Sequence, residues 1–225
     1  MELLLNSAHI ESVENAIDLF PVTGITTCAS VMEKEGPVDF FSHLQKLRGI
    51  IGSRSIHVQV VSTTYAGIIA ETDKIRDRLG RDTYIRIPAT REGMKAIKEL
   101  SHEGVNVTAA CILTPIQGLL AAMAGADYLL CEYQRMEEAG INASDMLQRL
   151  SSIIHHDDEC YARILAVGFH SIDQVVTAYE SGADAVSVNP DLLTASLDLP
   201  LVDKVTNGCK ASWRNIHGDK TLLDL

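Results

Sequence analysis

One charged residue stands where charge is costly. In the stretch TYIRIPAT, residues 83–90, Arg86 interrupts an apolar run of the kind that forms a short buried strand. A buried guanidinium is expensive unless it is paired or solvated. It can sit in an ion pair at the mouth of the fold, with Glu132 as the partner. It can also clamp an anion, because its planar fork of N–H donors matches a phosphate or a carboxylate. The two uses are compatible if Glu132 holds Arg86 until a ligand arrives. Other chemistry-bearing residues fall at comparable places: Asn6, the pair Thr26–Thr27, Cys28, Gln59, Glu132, Arg135 and His170. Glu132 and His170 are a carboxylate and an imidazole, the components of general acid–base catalysis. Arg135 is a second cation that either binds a ligand or is solvated. Thr26, Thr27 and Gln59 either touch substrate or complete hydrogen bonds within the fold.

A metal centre is not expected. Cys28, Cys111, Cys131, Glu132 and His170 lack any local ligand spacing, and isolated cysteines are usually small core residues. HHDDE at 155–159 reads as a solvated charge run in a loop on the face away from the site. No cofactor is expected either. The cysteines number five, an odd count without a C-x-x-C pair, which fits reduced thiols in the cytoplasm. The charge balance of 19 basic against 30 acidic residues gives −11, which argues against nucleic acid as a partner. No apolar run approaches the roughly 20 residues of a membrane span. The N-terminus, MELLLNSAHIES, carries an acid at position 2 and is not a secretory signal.

These residues need elements to hold them. Short apolar runs alternate with helical patterns along the chain. Strands are predicted at 2–7, 24–30, 56–62, 83–89, 105–113, 127–133, 162–169 and 184–190. Helices are predicted at 10–20, 38–51, 65–79, 90–104, 115–126, 143–156, 172–183 and 191–197, with Thr90 as an N-cap. Eight strand–helix units with short links imply parallel pairing and right-handed crossovers. In 225 residues they fit one closed (β/α)₈ (TIM) barrel spanning 1–225. An open doubly wound sheet is the rival, but no G-x-G-x-x-G follows the first strand. Residues 200–225 exceed what the barrel needs. They form an additional C-terminal helical tail, which packs on a neighbouring subunit or on its own barrel. Barrel sites lie at the C-terminal ends of the strands, which is where the polar residues above fall.

The blocks GITT, VQV, REGMKAIKEL, IQGLLAAMAGADYL and SGADAVSVNPDLL, with Arg135 after the sixth strand, run in an order that resembles the fructose-6-phosphate aldolase and small transaldolase family. The resemblance covers nearly the whole chain. It implies a (β/α)₈ barrel, a sugar phosphate as small-molecule substrate, and a homo-oligomer in rings of five or ten. It also implies reversible aldol cleavage or three-carbon transfer through a Schiff base on a fourth-strand lysine. That lysine lies in a strand of the form V-K-[VI]-P, and the matching stretch here is YIRIP, so Arg86 takes its place. Thr26, Thr27, Gln59, Gln117 and Arg135 match the family pattern, and the resemblance gives Arg135 the substrate phosphate. Asn6 stands for a proton-handling aspartate, Cys28 for an asparagine, Ala110 for a threonine and Gly168 for a serine. His170 stands at a position often held by arginine or lysine. Glu132 falls on a catalytic tyrosine in a gapless alignment; a shift of one residue puts Tyr133 there instead.

An arginine is protonated in proteins and is not a practical imine-forming amine. The expectation is therefore a sugar-phosphate-binding barrel of carbohydrate metabolism whose class I aldolase activity has been lost, a pseudoenzyme. One alternative is isomerase- or epimerase-like chemistry on phosphosugars using Glu132 and His170. The other is a non-catalytic module for metabolite sensing or assembly.

Overall fold

The computed structural model describes residues 1–225. Eight strands form a closed parallel barrel in chain order. They are β1 (Glu2–Asn6), β2 (Gly24–Thr27), β3 (Ser55–Gln59), β4 (Tyr84–Pro88), β5 (Val107–Ile112), β6 (Tyr128–Glu132), β7 (Arg163–Val167) and β8 (Ala185–Val188). The helices are α1 (Ile10–Leu19), α2 (Ala29–Glu33), α3 (Phe40–Ile51), α4 (Tyr65–Leu79), α5 (Arg91–His102), α6 (Pro115–Met123), α7 (Tyr133–Glu138), α8 (Ala143–Ile154), α9 (Ile172–Glu180), α10 (Pro190–Ala195) and α11 (Pro200–His217). The TIM barrel with a C-terminal helix expected from the alternation is the observed fold.

The strand period of two sorts each strand into two faces. On β4, Ile85 and Ile87 pack outward into the apolar layer beneath the helices. Tyr84 faces inward with Leu4, Ala110, Tyr128, Leu130, Leu165, Val167 and Ala185. Arg86, two residues after Tyr84, therefore points into the barrel. Helix starts are fixed by side chains. Thr90 accepts from the Gly93 amide at the head of α5, as expected of an N-cap. Gly93 has no room for a side chain there, because a Cβ would lie 1.9 Å from the Pro88 carbonyl oxygen. This close approach sets α5 tight against the end of the strand that carries Arg86.

Four details depart from the expectations. The strands are shorter than predicted, four to six residues each. The segment after β2 turns into α2 at Ala29, so a strand does not continue to residue 30. The helix α7 starts directly after β6, at Tyr133. Both helices are too short, at five and six residues, to show an apolar period. Finally, β5 slips register against β6 between Ala109 and Ile112, and Cys111 sits at φ 60°, a region unusual for a residue with a side chain. This bulge turns Cys111 toward the barrel mouth.

A polar and aromatic stack fills the N-terminal end of the barrel, and no motif in the sequence announces it. The fully buried His57 stacks on Tyr84 at 4.6 Å and meets Tyr128 edge-on at 4.9 Å. Its Nδ1 lies 2.8 Å from Thr108 Oγ1 and its Nε2 3.2 Å from Ser55 Oγ. Tyr128 donates its hydroxyl to Glu2 at 2.7 Å, Glu2 pairs with Arg163, and the Arg163 guanidinium lies 4.1 Å over the Tyr128 ring. The stack closes the end of the barrel away from the site.

α11 is different from every other long helix. None of its residues is buried, and Leu201, Val202, Val205 and Ile216 are open. No helix is long and apolar enough to cross a membrane.

Candidate functional site

The C-terminal mouth of the barrel holds a cavity of about 730 Å³. Its lining comes from the ends of seven strands and the segments that follow them: Asn6, Cys28 to Ser30, Gln59, Arg86, Cys111, Leu113, Glu132, Gln134, Arg135, Glu138, Val167 and Gly168. Residues scattered along the sequence meet here because every parallel strand ends on the same rim.

Arg86 lies deepest of the cations, 4% exposed. Its Nη1 donates to the Thr27 carbonyl at 3.1 Å. Its Nη2 stands 3.8 Å from Glu132 Oε1, an ion pair looser than a charge-assisted hydrogen bond. Its Nε is buried without any acceptor. A guanidinium has five N–H donors, and only one of them reaches an acceptor here. The Glu132 carboxylate, 19% exposed, also lies 3.4 Å from Nε of Arg135, which projects at the rim with 69% of its side chain exposed. One carboxylate therefore sits between two guanidinium groups, one at the floor and one at the rim.

The rest of the floor is rich in donors. Thr26 is buried and lies 3.3 Å from Asn6 Oδ1 and 2.7 Å from Ser187 Oγ. The chain Ser187 to Thr26 to Asn6 uses the Asn6 oxygen as acceptor and leaves its amide N–H₂ for the cavity. Gln59 is paired with Arg86 in the β3–β4 register and shares the lining. Cys111 faces the same space. Partial desolvation, and then the Glu132 carboxylate, push its thiol above the ordinary range, against the opposing pull of Arg86 and Arg135. It rests as a thiol, so it is a poor nucleophile. Every lysine of the chain is exposed, none stands on a strand, and none lines the cavity.

Asn6, Gln59, Arg86, Glu132 and Arg135 are thus brought to one surface. Thr26 stands behind it and orients Asn6. Thr27 is buried outside the lining, giving its hydroxyl to the His57 carbonyl at 3.2 Å and its own carbonyl to Arg86. His170 is exposed and absent from the lining; its backbone amide donates to Gln174 Oε1 at 2.8 Å at the head of α9. Tyr133 is buried against Phe169, away from the lining. Gln117 closes the start of α6, accepting from the Leu113 and Thr114 amides at 3.1 Å each. In the run at 155–159, His155 contacts Asp184 at 3.1 Å. Cys111 and Gln134 are lining residues that the strand pattern did not nominate. Cys111 needs the bulge, and Gln134 needs α7, neither of which periodicity reveals.

Fold and cavity together define a TIM barrel with an open, polar cavity at its C-terminal mouth. The family model described as transaldolase/fructose-6-phosphate aldolase matches residues 3–221, and the chain belongs to that family. It is 34% identical over 223 residues to a probable fructose-6-phosphate aldolase of Streptococcus pneumoniae, covering 99% of this chain and all of that one. It is 30% identical over 221 residues to a probable transaldolase of Nitrosopumilus maritimus, covering 97% of each.

Proposed function

We propose that the chain is a sugar-phosphate-binding barrel of its family in which class I aldolase chemistry has been lost. The observation that carries this reading is a buried guanidinium on β4 at the cavity floor, in a cavity that no lysine lines. An aldolase that works through an imine needs a neutral amine beside the substrate carbonyl. A guanidinium is permanently cationic and does not supply one. The same group, with Arg135 at the rim, suits an anion. Asn6 strengthens the reading, because an amide presents donors where a carboxylate would take a proton.

Calorimetry with fructose 6-phosphate, followed by borohydride reduction of the mixture and intact-mass measurement, tests both halves. The expected result is saturable binding with an unchanged protein mass. A reduced covalent adduct on the wild-type chain overturns the loss of imine chemistry. Absence of binding by fructose 6-phosphate and by every other phosphosugar tried overturns the phosphosugar reading.

The same proposal includes a homo-oligomer in which α11 makes the subunit contact. A helix with no buried residue and an open row of Leu201, Val202 and Val205 presents a surface that a second copy would cover. Deleting residues 200–225 is expected to convert an assembly to monomers with the barrel intact. Light scattering and far-ultraviolet circular dichroism read the two outcomes. An unchanged mass per particle, less the deleted segment, sets the subunit role aside.

A further inference from the structure

The cavity carries more positive donor capacity at its floor than a neutral ketose can use. Arg86 has three Nη N–H groups with no acceptor in hydrogen-bond range, besides its buried Nε, and Glu132, its nearest carboxylate, stays at 3.8 Å. Asn6 and Gln59 add amide groups that line the same space. Around them no second carboxylate reaches Arg86; the other acid of the lining, Glu138, is engaged by the Gln134 amide at 2.6 Å. A buried polar group left without a partner is costly, and a buried cation more so. The floor therefore asks for a planar anion with several lone pairs. A second cation, Arg135, waits at the solvent rim of the same cavity. The two are not equivalent. Stripping water from a dianionic phosphate costs more than stripping it from a monoanionic carboxylate, so phosphate belongs at the open rim. A carboxylate has two coplanar oxygens that match two N–H groups of a guanidinium, so it belongs at the floor.

We infer that the ligand of this site is a phosphorylated sugar acid, with its carboxylate on Arg86 and its phosphate at Arg135. The inference rests on the phosphosugar reading above and narrows it. In this arrangement Glu132 occupies the space between the two guanidinium groups when no ligand is bound. The ligand's anionic ends take over both contacts, and the Glu132 carboxylate competes with them.

Matched pairs of ligands test this, each pair differing only in a terminal carboxylate against a terminal CH₂OH: glycerate 3-phosphate with glycerol 3-phosphate, erythronate 4-phosphate with erythritol 4-phosphate, and gluconate 6-phosphate with glucitol 6-phosphate. Calorimetry on the wild-type protein reads the dissociation constants. In the pair whose length spans the cavity, the acid is expected to bind roughly tenfold tighter or more, the worth of charge-assisted hydrogen bonds to one carboxylate. Arg86→Gln removes that preference and leaves the polyol phosphate nearly as before. Arg135→Gln weakens both members of the pair alike. Glu132→Gln, a neutral near-isostere, tightens the acid more than the polyol and serves where Arg86→Gln does not fold. Equal affinity for acid and polyol in every pair overturns the inference while the phosphosugar reading stands. Failure of every phosphate, fructose 6-phosphate included, overturns both. An equal effect of Glu132→Gln on the two members counts against a carboxylate at the floor.

Discussion

Tyr128→Ala is expected to destabilise the protein by about 4 kcal/mol, within the range that a buried aromatic truncation costs. Tyr128 is among the largest fully buried side chains, and it stands at the centre of the stack that fills the barrel's N-terminal end. Its removal takes away an edge contact to His57, another to Tyr84 at 5.2 Å, the ring under Arg163 and the donor to Glu2. A cavity would open among polar groups, and Glu2 would keep only Arg163 and the Tyr179-linked backbone. Tyr128→Phe keeps the ring and loses one hydrogen bond, so it should cost only about 1–2 kcal/mol. Urea denaturation of the three proteins checks the order. A cost below about 1 kcal/mol for the alanine variant means that the stack is not a stabilising unit.

The same stack gives acid sensitivity with a definite sign. Burial, and then the nearby Arg86 and Arg163, push His57 from its ordinary value down to about 3. Its folded-state value thus lies below the unfolded one, near 6.5. Between those values the unfolded chain binds a proton that the folded chain refuses, so stability falls as pH drops from about 6.5 toward 3. His57→Gln should flatten that part of a melting-temperature profile, which separates the histidine from the ordinary carboxylate contributions.

Much of this architecture was legible from periodicity. The eight apolar runs and the helical patterns between them depend on burial on one or two faces, and a closed parallel barrel buries them in a regular way. What escaped has common physical causes. α2 and α7 are shorter than two turns. The bulge at Cys111 is a local backbone choice with no glycine or proline to announce it. The paired threonines illustrate a missed constraint. Adjacent strand residues face opposite ways, so Thr26 stands behind the cavity and Thr27 does not, although the pair reads as one motif. His170 lies beyond its strand, where alternation no longer fixes direction. The polar residues at the N-terminal ends of the strands, Glu2, Ser55, His57, Tyr84, Tyr128 and Arg163, were visible as inward positions. They carry no catalytic motif, and the fold's chemistry is expected at the opposite ends, so nothing in the sequence marks them as a stack.

The second large effect concerns the substitution on which the functional reading turns. Arg86→Lys is expected to gain a covalent adduct with dihydroxyacetone under borohydride, and still to show no retro-aldol turnover above the wild-type background. A lysine at this depth would be largely desolvated, which favours its neutral form and makes it nucleophilic. Its only nearby carboxylate, Glu132, is shared with Arg135, so the pull toward the charged form is weak. Condensation with a ketone then becomes possible, and intact mass should show one adduct per chain where wild type shows none. Turnover needs more. Breaking the carbon–carbon bond requires a base to take the hydroxyl proton and an acid to return a proton to carbon. Asn6 has no basic atom for the first, and Glu132, the carboxylate at the mouth, is held by Arg135 at 3.4 Å. Cys111 holds a proton too tightly for the second, since its thiol is pushed upward. His170 does not line the cavity. A coupled assay for glyceraldehyde 3-phosphate release from fructose 6-phosphate measures the difference. Adduct without turnover separates the nucleophile from the proton machinery; turnover in this single variant would show that Asn6 and Glu132 do not block proton transfer at the mouth.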